Sequence, residues 1–122
     1  MTLVDTAVWI DHFRASLPEL VRRLNDGEVT CHPFVVGELA LGHLRHRQET
    51  VELLAELPTL QIAPHDDVLR FVTTHRLAGA GIGWIDAHLL CAAASARVPL
   101  WTRDGALRKQ AARVGLLFGG SV

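Results

Sequence analysis

Along the 122-residue chain, short apolar runs alternate with stretches in which apolar side chains recur every three to four positions. The first run, Leu3-Val4, reads as the middle of a buried strand and stops on Asp5. Trp9, Ile10 and Phe13 then repeat at helical spacing, with Thr6 expected as the N-cap, so the chain passes from strand to helix around Asp5. Ser16-Leu-Pro-Glu19 has the form of a capping box with proline in the first turn, and Leu17, Leu20, Val21 and Leu24 supply that helix with an apolar face. Residues 28–32 predict a second strand. Pro33 opens a helix over 34–46 that carries Glu38 in its second turn, and helical character continues over 49–57 until Pro58. Residues 60–62 predict a third strand, followed by a helix over 66–77 with Val68, Leu69, Phe71 and Val72 inward, broken by Gly79-Ala-Gly-Ile-Gly83. The segment 84–96 is apolar almost all round and rich in alanine, the composition of a helix buried against a sheet, and it holds Asp86 in its first turn. A fourth strand over 98–102, Asp104 just past its end, a helix over 106–114 and a fifth strand over 116–118 complete the pattern.

Short strands alternating with helices predict an α/β fold: a short five-stranded, mainly parallel sheet flanked by helices in three layers, formed by residues 1–122 as a single domain. A hydrophobic content of 49% gives such a domain enough apolar mass for a core. Cys31 and Cys91 lie in apolar segments with no metal-binding or disulfide spacing and read as buried thiols of a reducing compartment. No apolar stretch reaches membrane-span length and no leader pattern opens the chain, so the expectation is a cytoplasmic protein with no membrane partner. The net charge of −1 argues against a generally basic nucleic-acid coat, but it is unevenly spread. From Arg97 onward five basic residues face one acid, whereas residues 1–96 hold seven basic and twelve acidic. That basic excess is nearly all arginine, the better planar partner for phosphate, although a solvated helix face is the simpler reading of the charge run alone.

Four acids fall at strand carboxyl ends or in the first turns of the framing helices: Asp5, Glu38, Asp86 and Asp104. Strands one and four, as neighbours at the switch point of a doubly wound sheet, would bring Asp5 and Asp104 into one crevice overlooked by Glu38 and Asp86. Carboxylates crowded without a matching lysine raise one another's pKa and destabilise the fold unless a cation offsets them. Hard oxygen donors of this kind suit Mg2+ or Mn2+. Singly, each acid has a plain reading: Asp86 complements a helix dipole, Asp104 caps a helix, and Glu38 is a surface residue with unusually apolar neighbours. Asp5 is the hardest to explain structurally.

The segments Leu-Val-Asp5-Thr-Ala-Val-Trp-Ile, Val-Val-Gly-Glu38-Leu-Ala-Leu-Gly, Gly-Trp-Ile-Asp86-Ala-His-Leu-Leu and Leu-Trp-Thr-Arg-Asp104 resemble, in this order and over essentially the whole chain, the PIN-domain ribonucleases, and among them the VapC-type toxins of type II toxin–antitoxin systems. The resemblance implies Asp5, Glu38, Asp86 and Asp104 as metal-binding catalytic acids, with Thr6 and Thr102 as polar neighbours. It also implies a homodimer, and a VapB-type antitoxin that docks on the toxin in a heterotetramer or larger assembly. The chain departs from the pattern at two places: Ala7 stands where a serine often follows the Asp-Thr pair, and Gly105-Ala-Leu107 stands where an acidic residue and an aromatic are often found beyond the last aspartate.

The expected chemistry is hydrolysis of an RNA phosphodiester, in tRNA or rRNA, by a metal-activated water, inhibiting translation and growth and leaving a 5'-phosphate and a 3'-hydroxyl. Arg103, Arg108 and Arg113, near Asp104 in sequence, are the expected backbone phosphate contacts. Trp84 offers a stacking surface, and Trp101 reads as core. The seven histidines make no zinc site: His43 and His46 are only a pair, Cys31 and His32 point to opposite sides of a strand, and His88 is two residues from Asp86. Two other readings compete. A phosphoaspartyl phosphatase would use Asp5 as nucleophile but wants an aspartate where Ala7 stands and a better placed lysine than Lys109, and a non-catalytic interaction module would keep a vestigial metal site. The helical segments from Trp9 to Leu24 and from Phe34 to Leu57 carry more apolar residues than one covered face needs, which predicts a groove for an antitoxin helix or a dimer face.

Overall fold

The computed structural model describes residues 1–119. Its centre is β1 (Thr2–Val4), every residue of which is buried. β2 (Val29–Thr30) and β3 (Leu100–Trp101) lie on either side, both parallel to β1, in the order β2-β1-β3. Leu3 is opposite Thr30 on one side and Leu100 on the other, which fixes the register of all three. Parallel strands buried on both faces need crossover helices, and among the described residues seven flank the sheet.

The five expected strands are three, with the outer two reduced to single bridges. Thr59 pairs with Cys31 beyond β2, and Leu117 pairs with Leu100 beyond β3, both in the parallel sense. Cys31 donates to the Pro58 carbonyl at 2.8 Å and accepts from the Leu60 amide at 2.8 Å, after which the chain turns toward Pro64 and the next helix. Pro58 has no amide hydrogen to extend the ladder, and Gly115, with φ near 76°, leaves residues 116–118 only the contact around Leu100.

Helix α1 (Thr6–Arg14) begins one residue earlier than expected: Asp5, not Thr6, is the N-cap, and Thr6 is the first helical residue. In α2 (Pro18–Asn25) the expected capping box does not form, because Leu17 is the N-cap and its amide donates to His12 Nδ1 at 3.1 Å. Glu19 instead pairs with Arg22 and Arg23 along the helix surface. The long helix expected after Pro33 ends at Leu41 as α3 (Pro33–Leu41), and α4 (Arg47–Ala55) restarts after His46, which sits in the left-handed region at φ 56°. Helices α5 (His65–Thr74), α6 (Trp84–Ala96) and α7 (Gly105–Arg113) follow the expected order. Leu69, expected inward, is 45% exposed, whereas Val68 is fully buried. Residues 87 to 93 of α6 are all buried, so its alanines do bring it close to the sheet. Leu3, Val4, Val35, Leu89, Leu90 and Leu100 share one core cluster between the layers.

Candidate metal centre

All three strands point their carboxyl ends to the same side, and the chain leaves each of them into a residue with a polar task. β1 delivers Asp5, 7% exposed, whose Oδ1 accepts from the Thr6 amide at 2.8 Å as the cap of α1. β3 delivers Thr102 and Asp104. The Thr102 hydroxyl, fully buried, donates to Asp5 Oδ2 at 2.8 Å, and Thr102 Oγ1 accepts from the Asp104 amide at 3.2 Å. Asp104 caps α7, its Oδ2 accepting from the Leu107 amide at 2.8 Å. β2 delivers His32, the N-cap of α3, and α3 presents Glu38, whose Oε1 accepts from the Thr6 hydroxyl at 3.0 Å. Asp86, in the first turn of α6, accepts from the Gly83 amide at 3.3 Å.

Asp86 senses the other three acids. Burial raises the Asp86 carboxyl above the usual carboxylate range; the Gly83 amide opposes this, and the charges of Asp5, Asp104 and Glu38 add to it. Like charges that close are costly, and among the described residues no lysine or arginine forms an ion pair with any of the four. Each acid is held by protein donors and keeps oxygen lone pairs free of them. The donor set is all hard oxygen, which fits Mg2+ or Mn2+ and excludes a zinc-type nitrogen and sulfur site. As they stand, no three His, Cys, Asp or Glu side chains among the described residues close into a ready cage.

The arginines divide. Arg108 Nη1 donates to the Thr102 carbonyl at 3.3 Å, next to the acids. Arg103 is paired with Asp11 on α1 at 2.8 Å, a partner 92 positions away that no local pattern signals. Arg113 is not gathered with them. It lies at the far end of the nine-residue α7, about 13 Å from Asp104 at 1.5 Å per residue, and its guanidinium binds the His75 carbonyl while Nε takes Gln110 Oε1 at 2.9 Å. Trp84 is 40% exposed, with His65 5.0 Å away and the His88 edge at 4.9 Å. Trp101 is half-buried rather than fully core, stacked on Phe118.

Histidines outside the acid set have structural work. His32 Nδ1 accepts from the Phe34 amide at 3.0 Å, and burial, with His88 nearby, lowers its pKa to about 4. Burial likewise lowers His12 and His88, and raises the Cys31 thiol to about 11, leaving it inert.

Residues 2–113 match the family model described as PIN domain. Over the whole chain the sequence is 46% identical to Ribonuclease VapC32 of Mycobacterium tuberculosis, in both the CDC 1551 / Oshkosh and H37Rv strains, and the match spans 99% of that protein. Among the described residues no helix is long and apolar enough to cross a membrane.

Proposed function

The chain belongs to the PIN-domain family, on its VapC branch, and from that premise we propose that it is a metal-dependent endoribonuclease, the toxin of a toxin–antitoxin pair acting as a single domain in the cytoplasm on tRNA or rRNA to stop translation and growth. The observation that carries the reading is the Asp86 carboxyl, raised by burial and by the charges of Asp5, Asp104 and Glu38, with no ion pair to any of the four among the described residues.

In this reading the four acids hold Mg2+ or Mn2+. When bound, such an ion lowers the pKa of a water and offsets charge on the phosphate. The chain's residues supply the rest. Thr102 fixes the rotamer of Asp5 through its hydroxyl, and Thr6 does the same for Glu38. The Leu107 and Gly83 amides aim Asp104 and Asp86. Arg103 and Arg108 are the proposed backbone phosphate contacts; Arg113 serves the turn after α5 instead.

A VapB-type antitoxin is the proposed partner. Its docking site is a groove of about 450 Å³ between α1, α2 and α4, lined by Trp9, Phe13, Leu24, Leu53 and Leu57. Homodimers of the toxin would join in the larger assembly.

The test is incubation of purified chain with total RNA in magnesium, manganese or chelator, beside Asp5→Asn, with mapping of the ends. Discrete cuts bearing 5'-phosphates, lost with chelator and in the variant, are expected. Absence of cutting with either ion would overturn the nuclease reading.

A further inference from the structure

A cleft of about 640 Å³ runs along the face of β3 that carries Pro99, Trp101 and Arg103. Arg23 of α2, Arg108 of α7 and Phe118 also line it, and Met1 and Thr2 close it at the amino end of β1. Its chemistry is basic and aromatic together. The Arg23 guanidinium lies 4.6 Å over the Phe118 ring, and Phe118 stacks on Trp101 with centroids 4.7 Å apart and planes 21° from parallel. The one acid lining the cleft, Glu19, is already neutralised by Arg22 and Arg23. Arg108 has no carboxylate partner among the described residues. Arg103 is held only by a half-exposed pair with Asp11, which an incoming phosphate can exchange.

Thr102 joins this cleft to the acid site: its hydroxyl holds Asp5 while its carbonyl holds Arg108. A strand whose phosphate sits among the acids meets positive charge on this side at Arg108, which Thr102 ties to Asp5, and the aromatic wall further along the same cleft. We propose that this cleft is a subsite for the single-stranded RNA flanking the cut, with a backbone phosphate on Arg108 and Arg103 and the adjoining nucleoside against the Trp101–Phe118 stack. The inference rests on the ribonuclease reading and deepens it by assigning the groove the flanking strand takes.

The two halves of the subsite leave different signatures. A lost phosphate contact lowers the salt dependence of binding, whereas a lost stacking contact lowers affinity at every salt concentration alike. Binding of a random-sequence 12-nucleotide RNA pool is measured by fluorescence anisotropy across a salt series, in the Asp5→Asn background so that nothing is cut. Arg108→Gln is expected to weaken binding about tenfold and to reduce the slope of log K against log salt by about 0.7. Phe118→Leu, which keeps an apolar side chain, is expected to weaken binding several-fold with the slope unchanged and the melting temperature within a few degrees. Wild-type affinity and slope in both variants, with Asp5→Asn still abolishing cleavage of total RNA in the otherwise native chain, would leave the nuclease and remove the subsite. Competition by millimolar mononucleotides as effective as the RNA pool would make the cleft a free-nucleotide site and overturn the strand assignment. Failure of the native chain either to bind or to cut RNA would overturn both readings together.

Discussion

Thr102 shows how much one hydroxyl decides. Its oxygen accepts from the Asp104 amide, so its single hydrogen is committed to Asp5 Oδ2, and both aspartates take their orientation from it. Thr102→Val preserves shape but leaves a buried carboxylate oxygen without its donor, and losses of this kind typically cost about 10- to 100-fold in metal affinity or activity. Magnesium titration by calorimetry, with cleavage assays alongside, should show that loss in Thr102→Val and near-native behaviour in Thr102→Ser. A valine variant that binds the ion as wild type does would take Thr102 out of the site. Asp86 carries the opposite sign for stability. With burial and three neighbouring carboxylates all raising its pKa, its charge is a cost to the metal-free fold. Asp86→Asn should therefore stabilise the metal-free protein by about 1 kcal/mol, the usual scale of a function-for-stability exchange, while abolishing cleavage. Thermal melts in chelator read this directly, and a lower melting temperature in the variant would show that the acids are not strained against one another.

At the scale of elements, α3 depends on a cap that titrates. His32 is buried and its Nδ1 must stay unprotonated to accept from the Phe34 amide. Its pKa falls from 6.5 to about 4 on folding, so the unfolded chain binds the extra proton between those values. The cap's contribution is complete above pH 6.5 and is lost as the pH drops toward 4, a change of about 3 kcal/mol at 1.36 kcal/mol per pH unit. His88 adds in the same direction, and Asp86 opposes both because acid relieves it. Denaturant unfolding at pH 7.5 and pH 5 should show the fall, and His32→Asn, which can cap without titrating, should flatten it. Equal stability at both pH values in the native chain would disprove the role. This cap was hidden in the sequence, where a histidine before a proline reads as part of a strand. The strand-to-helix passage at Asp5 and the helix order were legible because apolar period alone sets them. The capping box at Ser16 failed because a remote His12 nitrogen took the Leu17 amide. The outer strands failed because a few apolar residues beside a proline or glycine carry too few backbone bonds to extend a ladder.

For the whole molecule, the acid site and the groove between α1, α2 and α4 are separate surfaces with different legibility. Asp5 and Asp104 were readable as strand-end carboxylates, because a parallel sheet gathers its carboxyl ends whatever the loop details, and Glu38 and Asp86 only as acids on the flanking helices. The Arg23–Phe118–Trp101 stack was not, since it joins α2 to the segment after α7 and has no local pattern. The groove stands between these cases: the excess of apolar residues in the early helices announced it, but not which side chains stay open. Leu53 does, at 65% exposure on the groove wall, with Phe13 beside it at 40%. A side chain so exposed contributes little to the fold, so Leu53→Asp should change stability by no more than about 0.5 kcal/mol. Placed under a docked apolar helix, the same carboxylate would lose its water, and binding of the antitoxin should weaken by at least about 2 kcal/mol, roughly 30-fold. RNA cleavage should be unchanged, because Leu53 touches neither the acids nor the basic cleft. Titration with the VapB-type antitoxin, RNA cleavage and sedimentation of the variant together separate the two possible occupants. Lost antitoxin binding with an unaltered oligomeric state assigns the groove to the antitoxin. A variant that becomes monomeric yet captures antitoxin as wild type does would assign it to the second copy of this chain and refute the antitoxin groove.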